Sequence, residues 1–264
     1  MRPDRVTFAN ARGLTLVGHL WPGRGTSTGG VVMAHGFCAN KSSRGRFDRL
    51  GPALAEAGIA ALAFDFAGCG ESDDDTLVIA KQAEDVAAAV AFMVERGTAP
   101  VALHGHSLGA RACLQAALPG VVTMVLTGAG TGPVRYDWAR FFSTEQLADF
   151  EAKGETSMIV DDGWRHAVRV ERRLIEDFEE VDQAQLLGRV RCPVLLIHGG
   201  STMDEEERML LAQSRRGLPL LPKGSRLEVI EGVGHGLDER YDDVIRLAVD
   251  WYRTRMRRDA NRLI

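Results

Sequence analysis

The chain has 264 residues, 45% of them hydrophobic and 26% charged, the proportions of an ordinary globular domain. That balance excludes disorder, collagen-like repeats and coiled coil. A net charge of −4 argues against attachment to nucleic acid or an anionic membrane mainly by charge. Cys38, Cys69, Cys113 and Cys192 are scattered without a CxxC pair. Such spacing gives neither a zinc template nor a disulfide framework and points to reduced thiols. The first six residues lack the apolar stretch of a secretory signal, so a cytoplasmic location is expected. The longest run without charge, 112–134, is broken by Pro119 and Gly120 and does not read as a membrane span.

The opening predicts a hairpin, with strands at 6–9 and 14–21 around an Asn-Ala-Arg-Gly turn. After a Gly/Ser/Thr loop, 30–34 is a short apolar run, as expected of a strand buried on both faces. Helical spacing over 47–58 leads into a second buried strand at 59–64. A long Ala-rich helix is predicted over 76–96, capped by Asp or Thr at its start. Strand 101–105, helix 108–118 and strand 121–127 continue the alternation. From 128 to about 188 no buried-strand signal is present, and a segment of that length is too long for a bare loop. Strand 193–198, helix 204–217, strand 226–230 and helix 238–258 complete the chain. Strands alternating with helices predict a mostly parallel sheet covered on both faces. The reading is a core of 1–130 and 189–264 with an inserted cap at 131–188.

The sharpest chemical signal is Gly105-His106-Ser107-Leu108-Gly109, where a buried strand ends and a helix begins. Glycines two residues either side of Ser107 relieve the clash of a very tight turn and leave the hydroxyl exposed. Three further segments accompany it: His35-Gly36-Phe37 after the strand at 30–34, Asp65-Phe-Ala-Gly68-Cys-Gly70-Glu-Ser72, and Gly232-Val-Gly234-His235 after the last strand. On these four segments the chain resembles the α/β-hydrolase family over nearly its whole length. The resemblance implies the α/β-hydrolase fold, with an eight-stranded sheet and a cap after strand six. The overall layout is similar to bacterial carboxylesterases of the cinnamoyl and feruloyl ester type.

Serine is a poor nucleophile unless a neighbouring imidazole accepts its proton, and His235, on a glycine-flanked loop, is the candidate base. The negative oxygen of a tetrahedral intermediate needs preorganised donors, and the N–H groups of Phe37 and Leu108 are the expected pair. The acid is less direct. Thr202 stands where the family's aspartate is usual, and Asp204, two residues later, is taken as the triad carboxylate. Glu205, Glu206, Asp137 or a Ser–His dyad stay open, and Asp204 could instead cap the following helix with Glu205 to Glu207 in its positive first turn.

His104 and His106 read as packing or hydrogen-bonding residues rather than metal ligands, and His35 and His198 as residues that orient loops. His19 and His166 carry no motif. Trp138, Phe141 and Phe142, with Leu147, Phe150 and Trp164 near them, suggest an apolar or aromatic portion of the substrate. Arg253, Arg255, Arg257, Arg258 and Arg262 read as a solvated basic helix end. The expected function is hydrolysis of a small-molecule carboxylic ester with no metal or organic cofactor and no nucleic-acid or membrane partner. A thioesterase, a peptidase or a non-catalytic binding protein on the same fold stays open, as does a homodimer.

Overall fold

The computed structural model describes residues 1–25 and 28–260, with the side chains of its last helix through Met256. In chain order the elements are β1 (Asp4–Ala9), β2 (Thr15–Trp21), β3 (Gly30–Ala34), α1 (Arg46–Glu56), β4 (Ala60–Phe64), β5 (Thr76–Leu77), α2 (Ile79–Glu95), β6 (Val101–His106), α3 (Leu108–Ala116) and β7 (Val121–Thr127). They continue with α4 (Thr144–Lys153), β8 (Glu155–Ile159), β9 (Ala167–Glu171), α5 (Arg172–Glu179), α6 (Gln183–Gly188), β10 (Val194–Gly199), α7 (Glu205–Gly217), β11 (Arg226–Ile230) and α8 (Tyr241–Ala260).

Eight strands form one sheet in the order β1-β2-β4-β3-β6-β7-β10-β11. The predicted hairpin is antiparallel and joins β4 antiparallel, whereas every pairing from β4 onward is parallel. The two-residue period of the apolar runs assigns each side chain to one of two cores. Val32 and Ala34 of β3 and Leu62 and Phe64 of β4 face a core completed by Val86 and Met93 of α2 and Leu114 of α3. Val31 and Met33, with Ala61 and Ala63, face the opposite core under Phe47 and Leu54 of α1 and Trp251 and Tyr252 of α8. Central strands buried on both sides can therefore be wholly apolar, as their sequences are.

The chain leaves β3 toward β4 on one side and later returns to β6 on the other. The crevice beyond the carboxyl ends of β3 and β6 is thus a topological switch point, where open α/β sheets place ligands.

Three local expectations change. Thr76 and Leu77 are strand β5, not the start of a helix, and α2 begins at Ile79 behind Val78 without a side-chain cap. Two strands the sequence did not announce, β8 and β9, lie within 131–188 and join β5 in a three-stranded sheet. Arg255 is not simply solvated: it lies 4.4 Å over the Trp251 ring and donates to the Gly224 carbonyl. Arg253 is exposed, whereas the side chains of Arg257 and Arg258, and Arg262 entirely, lie outside the described residues.

Candidate active site

Ser107 occupies the turn between β6 and α3 with φ 55° and ψ −118°, a backbone conformation that costs energy for a residue with a Cβ. The surrounding contacts hold it there. Its N–H donates to the Thr127 carbonyl at 2.9 Å, continuing the ladder with β7, while its own carbonyl accepts from Ala110 N at 3.0 Å. The turn closes because its flanking glycines lack side chains. A Cβ at Gly105 would stand 2.5 Å from the Ala110 Cα, and one at Gly109 would stand 2.1 Å from the Ala34 carbonyl oxygen. The loop after β3 comes equally close, since a Cβ at Gly36 would lie 3.4 Å from that of Ser107.

The loop after β11 carries His235 across this turn. Its Nε2 is 2.9 Å from Ser107 Oγ, and its Nδ1 is 2.7 Å from Glu207 Oε2. The loop is fixed from two directions: Arg46, at the start of α1, donates to the Gly236 carbonyl at 2.9 Å, and Asp204 accepts the His235 backbone N–H at 2.8 Å.

The carboxylate on the imidazole is therefore Glu207 and not Asp204. Asp204 Oδ1 accepts the Glu207 N–H, capping α7, and Oδ2 accepts the His235 N–H, so both of its oxygens are committed to backbone. Glu207 begins one turn further along, and its longer side chain leans back toward the helix N-terminus and reaches Nδ1. Glu205, Glu206 and Asp137 make no hydrogen bond to the ring among the described residues. The sequence places Glu207 in a run of three glutamates that a helix N-terminus accounts for fully. The signal that could have singled it out is its third position behind a capping aspartate.

Burial would raise the pKa of Glu207, but hydrogen bonds from His198 and His235 outweigh it and hold the carboxyl at about 2. Burial likewise works to lower the His235 pKa, yet the ionised Glu207 on Nδ1 raises it above the ordinary histidine value. An ionised carboxylate holding the Nδ1 proton leaves Nε2 free to accept one from the serine hydroxyl.

Residues 31–247 match the sequence profile of the Alpha/beta hydrolase family. The chain belongs to this family. No curated protein sequence matches the chain. Among solved structures, the alpha/beta hydrolase GrgF from Penicillium sp. sh18 superposes with a TM-score of 0.76 at 17% identity, over 97% of this chain and 99% of that one. The esterase domain of a Rhodothermus marinus protein gives 0.70 at 24% identity, over 97% of this chain and all of the other. Est1E from Butyrivibrio proteoclasticus, solved with ferulic acid bound, gives 0.73 at 19% identity, over 95% and 99%. At these identities the likeness is one of fold.

On this alpha/beta hydrolase scaffold the other expected site residues separate. Phe37 follows β3 and Leu108 opens α3, and neither backbone N–H has an acceptor among the described residues. Phe142 is buried and meets the Phe37 ring edge-on at 6.4 Å. Trp138 packs between Phe142 and Phe178 and donates its indole N–H to Glu179, which makes it part of an aromatic cluster. Phe141 is 39% exposed and helps line a cavity of about 910 Å³ with Tyr136, Met203 and Asp204. Ser107 is not in that lining. Of the three aromatics, Phe142 is the one with a ring contact to Phe37.

The remaining histidines are placed by packing. His106 is buried, bonds Thr127 Oγ1 at 3.0 Å, and lies 5.3 Å from the His235 ring. His104 is buried edge-on against Phe47. His35 Nε2 accepts the Phe66 N–H at 3.2 Å, joining the loop after β3 to that after β4. The second motif, Asp65 to Ser72, is a structural brace. Asp65 and Glu71 flank the buried ammonium of Lys41 at 2.8 and 2.7 Å, which anchors the loop that carries Phe37.

Proposed function

We propose that the protein is a serine hydrolase that cleaves small carboxylic esters through an acyl-enzyme. The observation that carries this reading is the continuous array from Ser107 Oγ to His235 Nε2 at 2.9 Å and from His235 Nδ1 to Glu207 at 2.7 Å. Ser107 Oγ attacks the carbonyl carbon while its proton passes to Nε2. The developing oxyanion is met by the N–H groups of Phe37 and Leu108, a kind of contact worth roughly 3 to 4 kcal/mol of barrier. Collapse expels the alcohol, which takes the proton from His235. Water, deprotonated by the same imidazole, then releases the acid.

Residues 131–188 act as the cap over this site in the proposal, with Phe142 beside Phe37 forming an apolar wall for a small acyl or aromatic portion. Support for a binding protein without chemistry weakens, because Glu207 supplies the carboxylate that position 202 lacks. The four cysteines are free thiols, the state a reducing compartment maintains, and the proposal places the enzyme in the cytoplasm. Among the described residues no helix is long and apolar enough to cross a membrane.

A fluorophosphonate probe should label the protein stoichiometrically at Ser107, and the same preparation should hydrolyse p-nitrophenyl butyrate. Peptide mapping by mass spectrometry checks the labelled position. Intact protein that neither labels nor turns over would overturn the reading.

The pH dependence has a definite sign. Protonated His235 cannot accept the serine proton, and its pKa lies above the ordinary 6.5. Activity should therefore fall as pH drops, with the acid limb of kcat/KM centred above pH 6.5. A limb centred at or below that value would contradict the Glu207–His235 coupling.

A further inference from the structure

The hydrogen-bond array does not end at Glu207. Its Oε2 serves His235, while Oε1 accepts two more donors: the Gly199 N–H at 2.8 Å and His198 Nδ1 at 2.8 Å. His198 is the penultimate residue of β10 and is fully buried. Its other nitrogen is 2.8 Å from the Ser214 hydroxyl, which lies two turns beyond Glu207 on α7. With Nδ1–H given to the carboxylate, Nε2 is the acceptor and the Ser214 hydroxyl its donor. Five side chains thus stand in one row, Ser107–His235–Glu207–His198–Ser214, and the acid sits between two imidazoles.

We propose that His198 is a positioning residue for the reaction, clamping Oε1 of Glu207 so that Oε2 is presented to His235 Nδ1. This rests on the serine-hydrolase reading above. A carboxylate on a helix side chain has several rotatable bonds, and the backbone N–H of Gly199 fixes one point only. A second donor on the same oxygen, from the end of a rigid central strand, removes the remaining rotation. Ser214 in turn sets the tautomer of His198, so α7 carries both the acid and the group that orients its clamp.

The test uses two amide replacements that place an N–H at opposite ends of the ring. In His198→Asn the amide nitrogen stands near the former Nδ1 and can still donate to Glu207. In His198→Gln the longer side chain carries its donor toward Ser214. Hydrolysis of p-nitrophenyl butyrate is followed across pH, with thermal unfolding as a check on folding. His198→Asn should stay within about threefold of the parent. His198→Gln should lose roughly 10- to 100-fold in kcat with KM little changed, the scale seen when a supporting hydrogen bond behind a reacting group is removed. Its acid limb should also move to lower pH, because a carboxylate that has swung away no longer supports the imidazolium. Other groups acting on that imidazole, Asp204 and Glu206 from α7 and its N-cap and His106 from β6, are unchanged in both variants.

Equal losses in the two variants with an unmoved acid limb, or parental activity in both, would overturn the proposal. Ser107→Ala, assayed alongside, separates the two levels. If it remains active, the serine mechanism itself is wrong; if it is inactive, the His198 result stands on its own.

Discussion

Replacing Glu207 by Gln should lower kcat by about 10⁴-fold, the scale seen when an orienting carboxylate becomes an amide. The carboxylate accepts three donors, from His198, Gly199 and His235, and donates nothing. An amide has one oxygen to offer. If that oxygen stays with Gly199 and His198, the amide nitrogen faces His235 Nδ1, which must then be an acceptor. The ring proton moves to Nε2, where it points at Ser107 and blocks proton acceptance. Asp204→Asn should behave differently and stay within about tenfold of the parent, because asparagine caps helices well and retains an oxygen for one of its two backbone donors. Steady-state hydrolysis of p-nitrophenyl butyrate by the two variants decides between the acids. A larger loss in Asp204→Asn than in Glu207→Gln would return the orienting role to Asp204.

That contrast also marks where the sequence was informative. The elbow was legible because its requirements are local: a strand end, a serine and two glycines whose missing side chains let β3, β6 and α3 approach. The buried strands were legible because parallel sheets covered on both faces produce unbroken apolar runs. The position of His235 followed from its loop and its place after the last strand. Glu207 was hidden for a physical reason. Three consecutive glutamates at the start of α7 satisfy the helix dipole equally well, and only the approach of two separate loops selects one of them. The small sheet was hidden in a similar way. In β9 the alternation Ala167-Val-Arg-Val-Glu171 buries only its two valines, and its partner strand Thr76–Leu77 lies about ninety residues earlier. Thr76 looked like a helix cap because a two-residue strand leaves no periodic signature of its own.

The second large effect concerns how Ser107 and His235 combine. Ser107→Ala and His235→Ala should each lower kcat by about 10⁶-fold, and the double variant should be hardly worse than either single one. In the proposed mechanism the two side chains act as a unit. Without the imidazole the hydroxyl keeps its proton and attacks poorly, and without the hydroxyl the imidazole has no nucleophile to activate at that position. Independent contributions would multiply to about 10¹²-fold, well beyond what the site can supply, so the double variant discriminates sharply. Ala at position 107 keeps the Cβ that the turn already accommodates and leaves the Thr127 and Ala110 backbone bonds in place, so the fold should survive. The residual rate in all three variants should remain above the uncatalysed rate by about 10³-fold, because the Phe37 and Leu108 N–H groups and the binding pocket are intact. Single-turnover assays at high enzyme concentration measure rates that low. Losses that multiplied across the pair would mean that Ser107 and His235 serve separate steps, and the 2.9 Å contact between them would then be a structural hydrogen bond.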